Sequence, residues 1–294
     1  MRRHKAIRLS ASVQRLHLFV LCLIAAFTAT AATAQTAVEH GRYLVETVAA
    51  CGNCHTPKGP NGHQPGGSLA GGNLIEDTPA FTVFAPNITP DRETGIGAWT
   101  DDQIFLALRE GIRPDGSLIG PPMPMRFFRG LADDDIRAMI AYLRAIPPVH
   151  SAATKSTYRI KLPPSYGPPV GAVNAPPKSD KIAYGAYLAG PLAYCISCHT
   201  PLLPNGQRDM ARVGAGGQVF NAKEAPTVAA NITSSKTNGI GAWTDAQVER
   251  AIRTGLSSDG RKLFPPMPFA FYAGITKDDM TALIAYLRSL PAVD

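Results

Sequence analysis

The sequence has little net charge once its first 34 residues are set aside. The 294-residue chain carries 29 lysines and arginines against 22 aspartates and glutamates. Five of the basic side chains precede residue 35, where there is no acidic residue, so the remainder holds 24 basic and 22 acidic groups. A chain this close to neutral offers no extended basic surface for a polyanion, and we expect no nucleic-acid partner.

Long apolar runs are also scarce. The apolar run at residues 18–27 follows a basic start and precedes Ala32-Thr33-Ala34. This order is typical of a secretory signal peptide, and it predicts cleavage between Ala34 and Gln35. A retained membrane anchor is the alternative, although the run is shorter than the roughly 20 residues that span a bilayer. No later run is apolar enough to span, so we expect an exported, periplasmic protein.

The rest of the sequence repeats one unit. Residues 41–147 align with residues 185–291 without a gap, and 45 of the 107 pairs are identical. Between the copies, residues 147–180 contain eight prolines, which favour a semi-extended connector. We expect its apolar residues Tyr158, Ile160, Leu162 and Tyr166 to pack on the domains. The predicted units are a signal peptide (1–34), a first domain (35–146), a proline-rich linker (147–180) and a second domain (181–294).

Periodicity predicts an all-α, loop-rich fold in each copy. A first helix is predicted at residues 37–49 and, in the second copy, at 181–193. The capping boxes Thr100–Gln103 and Thr244–Gln247 each predict the start of a second helix. A last helix is predicted at 133–146, and its apolar stripe recurs at 280–290. The intervening stretches are rich in glycine and proline and show no alternating strand pattern. We expect Asp133–Asp135 to form a solvated helix end. So few apolar residues predict that a large apolar group fills the centre of each domain.

The four cysteines after residue 34 all lie in two C-x-x-C-H motifs, at 51–55 and 195–199. This is the attachment signature of c-type haem, because two thiols in one helical turn reach the vinyl groups of one porphyrin edge. It predicts two haem c groups anchored by Cys51, Cys54, Cys195 and Cys198. His55 and His199 would be the proximal iron ligands. A disulfide or redox C-x-x-C pair is one alternative, but it needs no histidine directly after the second cysteine. A zinc site is another, and it needs four converging ligands.

A methionine is the best candidate for the second axial ligand. No histidine other than His55 and His199 recurs in both copies, whereas Met123 and Met267 occupy matching P-P-M-P loops. Flanking prolines restrict the loop and hold the thioether with little entropy left to lose. Ordinary core packing is the alternative for both methionines. Met125, which pairs with Phe269, is more consistent with packing.

Asparagine and tryptophan recur between the attachment motif and the methionine. Asn87 and Asn231 precede a shared G-I-G-A-W-T-D stretch that contains Trp99 and Trp243. Their side-chain N–H groups are candidate donors to buried haem propionates, since a buried charge needs a partner. The alternative is that the tryptophans pack on the porphyrin and the asparagines shape a turn.

These motifs together resemble class I cytochrome c. The resemblance implies that the terminal helices cross closely, with Gly41 against the Tyr142/Leu143 face and Gly185 against the Tyr286/Leu287 face. The N-I-T-P-D and P-P-M-P segments resemble the cytochrome c subunits of periplasmic dehydrogenases. Those subunits commonly carry three haems and a membrane-binding tail, whereas two haem motifs are present here, so the partner enzyme is open.

From these features we expect an exported dihaem cytochrome that is not itself an enzyme. It would carry single electrons between a periplasmic dehydrogenase and an acceptor such as an oxidase or another cytochrome. Its near-neutral charge favours small, transient and largely apolar contacts with redox protein partners. The alternatives are a dihaem peroxidase, which needs an open coordination position, and a haem-based sensor.

Overall fold

A computed structural model describes residues 36–59, 67–221 and 226–294. The predicted signal peptide (1–34) lies outside these residues. Within the described ranges, no helix combines the length and the apolarity that crossing a bilayer requires.

The first domain consists of five helices around a loop-rich middle. The elements are α1 (36–43), which continues as a π-helical turn at Leu44–Val48, α2 (Gly52–His55), α3 (Asp101–Arg109), α4 (Met125–Phe128) and α5 (Asp133–Ala145). Thr100 and Gln103 form the predicted capping box at the start of α3. The helices predicted in this domain are therefore confirmed, while the π-helical turn was not foreseen.

The second domain repeats this order. The elements are α6 (Lys181–Tyr187), which continues as a π-helical turn at Leu188–Leu192, α7 (Cys195–Cys198), α8 (Asp245–Thr254), α9 (Phe269–Tyr272) and α10 (Lys277–Ser289). Thr244 and Gln247 again form a capping box, and α8 ends at Gly255 in the left-handed conformation that favours glycine. Equivalent sequences thus fold into equivalent elements.

The all-α prediction is incomplete, because two small antiparallel sheets are present. One joins β1 (Leu74–Asp77), β2 (Phe81–Phe84) and β3 (Thr157–Tyr158), and the other joins β4 (Val219–Asn221) and β5 (Pro226–Val228). Strands of two to four residues are too short for an apolar alternation to be visible in the sequence. The third strand also comes from the linker, far along the chain from its partner.

The ungapped alignment of the two copies is wrong by one residue in the loop that follows each cysteine motif. The N–H of Gly71 donates to the carbonyl of His55, and the N–H of Gly216 donates to that of His199, both at 2.7 Å. The structural offset here is 145 rather than 144 residues. It returns to 144 at Ala85 and Ala229, which accept the N–H groups of Gly72 and Gly217 at 2.8 Å.

The terminal helices of each domain cross at a glycine. A Cβ atom on Gly41 would lie 1.8 Å from the Ala138 carbonyl oxygen and 2.9 Å from Tyr142 Cβ. One on Gly185 would lie 2.0 Å from the Ala282 carbonyl oxygen. Only glycine permits so close a backbone approach. The predicted contact of the first glycine with the Tyr142 face is confirmed.

The two domains face each other through reciprocal hydrogen bonds. The hydroxyl of Tyr43 donates to Asp279 Oδ2 at 2.7 Å, and the hydroxyl of the equivalent Tyr187 donates to Asp135 Oδ2 at 2.5 Å. Asp135 is therefore buried in the interface, and its expected solvation is wrong. A partner on the other domain, 52 residues away, replaces the water that a lone helix end would bind.

The linker packs on the first domain. The ring of Tyr158 lies against Gly120, and the hydroxyl of Tyr166 donates to the Ile119 carbonyl at 2.6 Å. These two tyrosines confirm the predicted packing. Ile160 is 47% exposed, so its predicted burial is wrong. The linker thus covers part of the first domain, and Lys178 near its end donates to Asp279 of the second domain at 3.2 Å.

Candidate functional site

Each cysteine motif forms one helical turn that holds two thiols. Cys51, Cys54, Cys195 and Cys198 are free and partly buried. Burial, with a smaller effect of the neighbouring thiol, raises the pKa of Cys51 and of Cys195 to about 12. A catalytic redox C-x-x-C pair instead has a lowered thiol pKa, because the thiolate is the reactive form. The alternative of a redox-active dithiol is therefore disfavoured.

The donor groups do not suit zinc. Among the described residues, no set of three or more His, Cys, Asp or Glu side chains converges as metal ligands. A structural zinc site needs four such groups in a tetrahedron. The two thiols and one imidazole of each motif therefore do not gain a fourth ligand from the described residues, and the zinc alternative is not supported.

The two motif histidines are oriented in the same way. Nδ1 of His55 donates to the Pro86 carbonyl at 2.9 Å, and Nδ1 of His199 donates to the carbonyl of the equivalent Ala230 at 2.7 Å. A proton on Nδ1 leaves Nε2 as the unprotonated nitrogen, which is the form that binds a metal. Burial lowers the pKa of both imidazoles, although the carbonyl contact acts against it, so the neutral form is favoured.

Met123 and Met267 occupy loops of the same backbone shape. Both side chains are partly buried against the apolar core, as are Cys51 and Cys195. The carbonyl of Met123 accepts the N–H of Met125 at 2.8 Å, and the carbonyl of Met267 accepts the equivalent N–H at 3.0 Å. Met125 is itself 1% exposed within the core, which fits the packing role predicted for it.

The two candidate asparagines hold a loop to the segment after the last helix. Nδ2 of Asn87 donates to the Val149 carbonyl at 2.7 Å, and Nδ2 of Asn231 donates to the equivalent Val293 carbonyl at 2.6 Å. Each side-chain oxygen accepts a main-chain N–H two residues on, at 2.9 Å. These bonds give both asparagines a structural role. A bond to a propionate remains a prediction.

The two candidate tryptophans are partly buried against the core. Within the described part of the chain, neither the indole N–H of Trp99 nor that of Trp243 donates a hydrogen bond. The main-chain carbonyls of Trp99 and Trp243 accept from Arg144 and Arg288 of the last helices, so both segments are fixed in place. The indole donors therefore remain available to a buried acceptor.

Sequence reasoning missed Tyr194, the residue before the second motif. Tyr194 and its equivalent Ala50 both adopt the left-handed conformation, with φ of 41° and 47°. The pairing of tyrosine with alanine in otherwise matching positions was the only signal in the sequence. Its partners lie in the first domain, and no local pattern reports them.

The donor set of each half fits an iron porphyrin. The two cysteine thiols on one turn can form thioether links to the porphyrin. The histidine is held with Nε2 unprotonated, and the methionine side chain packs on the same apolar core. The backbone of both halves repeats this arrangement. These observations agree with the cofactor that the motif predicts.

Comparison with known proteins gives the same result. The family model described as "Cytochrome c" matches residues 38–147 and 183–291. The fructose dehydrogenase cytochrome subunit of Gluconobacter japonicus is 31% identical over 274 residues, which cover 87% of this chain and 53% of that protein. The cytochrome c subunit of the quinone-type alcohol dehydrogenase of Gluconobacter oxydans is 33% identical, covering 87% and 55%.

A relative of similar size is also known. The diheme cytochrome c-type protein of Cereibacter sphaeroides is 29% identical over 260 residues, which cover 83% of each chain. In contrast, the chain spans about half the length of the two dehydrogenase subunits that it matches.

Proposed function

The chain belongs to the cytochrome c family, and on this basis we propose that it is an exported carrier of single electrons with two covalently bound haem c groups. The observation that carries this proposal is the duplicated donor set. Each half presents two thiols, an oriented imidazole and a proline-flanked methionine in the same order. The cytochrome c family model matches each half of the chain once, and the proposal starts from these two tandem domains.

The attachment residues are Cys51 and Cys54 in the first domain, and Cys195 and Cys198 in the second. His55 and His199 would hold the iron through Nε2, because the Pro86 and Ala230 carbonyls keep Nδ1 protonated and leave Nε2 unprotonated. Met123 and Met267 would supply the second ligand in each domain. When bound, the haem supplies one-electron redox chemistry at its iron, and His/Met ligation raises the reduction potential.

The protein contributes burial, orientation and closure of the coordination sphere. Prolines on both sides of each methionine would limit the motion of the thioether and so keep it available as a ligand. Trp99 and Trp243 have free indole donors and are the stronger candidates for propionate contacts. Asn87 and Asn231 keep their main-chain bonds and support the same loop.

The proposed partners are a periplasmic dehydrogenase as donor and an oxidase or another cytochrome as acceptor. The names of the relatives support this, because the two longer proteins are cytochrome subunits of fructose and alcohol dehydrogenases. The near-neutral chain from residue 35 onward suits brief apolar docking rather than strong electrostatic steering. The signal-like sequence at 1–34 supports export from the cytoplasm. This agrees with haem c, which is attached outside the cytoplasm.

The proposal is tested on protein produced with haem-attachment machinery. We expect denaturing mass spectrometry to show two added haem masses, and the ferric protein to be low-spin with no sustained peroxide turnover. A chain without added haem overturns the proposal. A high-spin ferric haem with peroxidase turnover would assign a dihaem peroxidase instead, and rapid CO binding to the unmodified ferrous protein would favour a sensor.

A further inference from the structure

The domain interface contains one feature that breaks its reciprocity, at residues 50 and 194. These equivalent positions directly precede the two C-x-x-C-H turns, and both are left-handed. For residues other than glycine this conformation is unfavourable. Alanine occupies one position and tyrosine the other. A bulky residue in a conformation that suits glycine points to a role for its side chain.

The side chain of Tyr194 extends into the first domain. Its ring lies 6.0 Å from the ring of Phe128, measured between centroids, and meets it edge-on at 68°. Its hydroxyl points to the carbonyl of Ala49 at 3.4 Å. Ala49 is two residues before Cys51, and Tyr194 is bonded directly to Cys195. The tyrosine therefore connects the chain segments that carry the first thiol of each motif.

The surroundings of Tyr194 agree with a position between the two motifs. Burial raises its pKa well above the usual value. In the same region, Gly52 of the first motif lies against the ring of Phe271 from the second domain, 3.0 Å from where a Cβ would stand. The two attachment turns thus both border the interface.

The alanine at position 50 is the complement of this tyrosine. In an interface with reciprocal contacts, equivalent residues near the symmetry axis face each other, and two aromatic rings would compete for one space. The hydroxyl of Tyr194 reaches the carbonyl of Ala49, the residue before Ala50, so Tyr194 lies beside the segment that carries Ala50. The two equivalent positions thus combine one large and one small side chain. Tyr272 fixes the arrangement by donating to the Ala193 carbonyl at 3.0 Å.

We propose that Tyr194 is a positioning residue for electron exchange between the two domains, which it achieves by bridging the two haem-attachment segments. The inference rests on the proposed function. One electron leaves the reduced centre of one domain and enters the oxidised centre of the other, and no proton moves. Tyr194 stays neutral throughout and serves as the packed contact between the segments.

The test uses the full chain with both haems attached, in the variants Tyr194→Phe, Tyr194→Leu and the exchange Ala50→Tyr/Tyr194→Ala. A substoichiometric photoreductant adds one electron, and the redistribution between haems is followed optically. Pulsed EPR of the ferric protein measures the spacing of the two irons. Tyr166→Phe is the matched control, because it removes a partly buried tyrosine hydroxyl on the linker.

We expect redistribution to slow several-fold in Tyr194→Leu and less in Tyr194→Phe, which keeps the ring against Phe128. The exchange variant should recover most of the rate, because it returns one aromatic ring to the same space. An unchanged rate in Tyr194→Leu overturns the inference. If the leucine variant does not fold, an unchanged rate in Tyr194→Phe overturns it, as does an exchange variant as slow as the slowest folded variant. Equal slowing in Tyr166→Phe also overturns it.

The same measurements separate this inference from the proposed function. If both haems are attached and reducible but the redistribution rate does not depend on Tyr194, the carrier function stands and only the role of Tyr194 is rejected. Loss of haem from the unmodified chain removes both.

Discussion

The methionine loops of the two domains share their sequence but differ in their cover. Over the first loop, the ring of Tyr158 lies against Gly120, and its hydroxyl donates to the Pro121 carbonyl at 2.8 Å. In the second domain the position of Gly120 is taken by Phe264, which is 50% exposed. The linker therefore covers the start of one methionine loop, whereas residues 264–266 at the start of its copy are exposed.

This difference distinguishes the two copies without a change in the residues proposed as ligands. The groups proposed to hold the metal are identical in both copies. What differs is the cover, which depends on Tyr158 of the linker and on Phe264 in place of Gly120. We expect the two centres to have the same coordination but different rates of reaction with small molecules in solution.

The largest effect should follow from removing the distal ligands. Met123→Ala and Met267→Ala should each open one coordination position, so that one haem per chain binds CO and its reduction potential falls. CO binding should be faster in Met267→Ala, because that loop is exposed. Redox titration and CO flash photolysis measure both effects, with Met125→Leu as the control. An unchanged spectrum in Met123→Ala would show that Met123 is not the ligand.

A smaller effect should follow from uncovering the first loop. Tyr158→Ala removes the ring over Gly120 and one hydrogen bond worth about 1 kcal/mol. We expect imidazole to displace Met123 faster, approaching the rate at Met267. Stopped-flow mixing measures both rates. Ile160→Ala, an exposed change two residues away, should leave them unaltered, and equal effects of the two variants would contradict the role of the cover.

The smallest effect concerns acid, and it should appear in the first domain only. Asp133 accepts from Arg109 at 2.8 Å and from the linker N–H of Val173 at 3.1 Å, and these bonds, the first above all, hold its pKa below the usual value. Their stabilisation is complete above the unfolded pKa of about 3.9 and is lost as pH falls through the lower folded pKa. The second domain has Lys277 at this position.

Hydrogen exchange at the Val173 amide can measure this loss. In the unmodified chain its protection should decrease as the carboxylate is protonated, whereas Asp133→Asn should show low protection throughout. The amide of Lys277 serves as the reference in the second domain. Protection at Val173 that does not depend on pH would contradict the role of Asp133.

Much of the molecule could be predicted because its signals are local. Thr100 and Gln103 report a helix start within four residues, and the C-x-x-C-H spacing reports a helical turn with its thiols on one edge. The duplication added weight, since Met123 gained a copy at Met267 while Met125 did not. The close contact of Gly41 with the Tyr142 face could be predicted only through the family resemblance.

The features that were missed depend on contacts between distant residues. Asp135 reads as a solvated helix end until Tyr187 approaches from the other domain. The strand at Thr157–Tyr158 is two residues long and is defined only by its pairing with Phe81 and Thr82. Tyr194 matters because of Phe128 and Ala49, and nothing in its own neighbourhood announces them.

The exchange of tyrosine and aspartate between the halves has a consequence for assembly. Tyr43 of the first half donates to Asp279 of the second, and Tyr187 of the second half donates to Asp135 of the first. The subunits of a two-fold homodimer make reciprocal contacts of the same kind. A dimer of separate subunits dissociates on dilution, whereas a tethered pair associates at a fixed effective concentration. Joining the halves by residues 147–180 therefore keeps the two C-x-x-C-H motifs together however dilute the protein is.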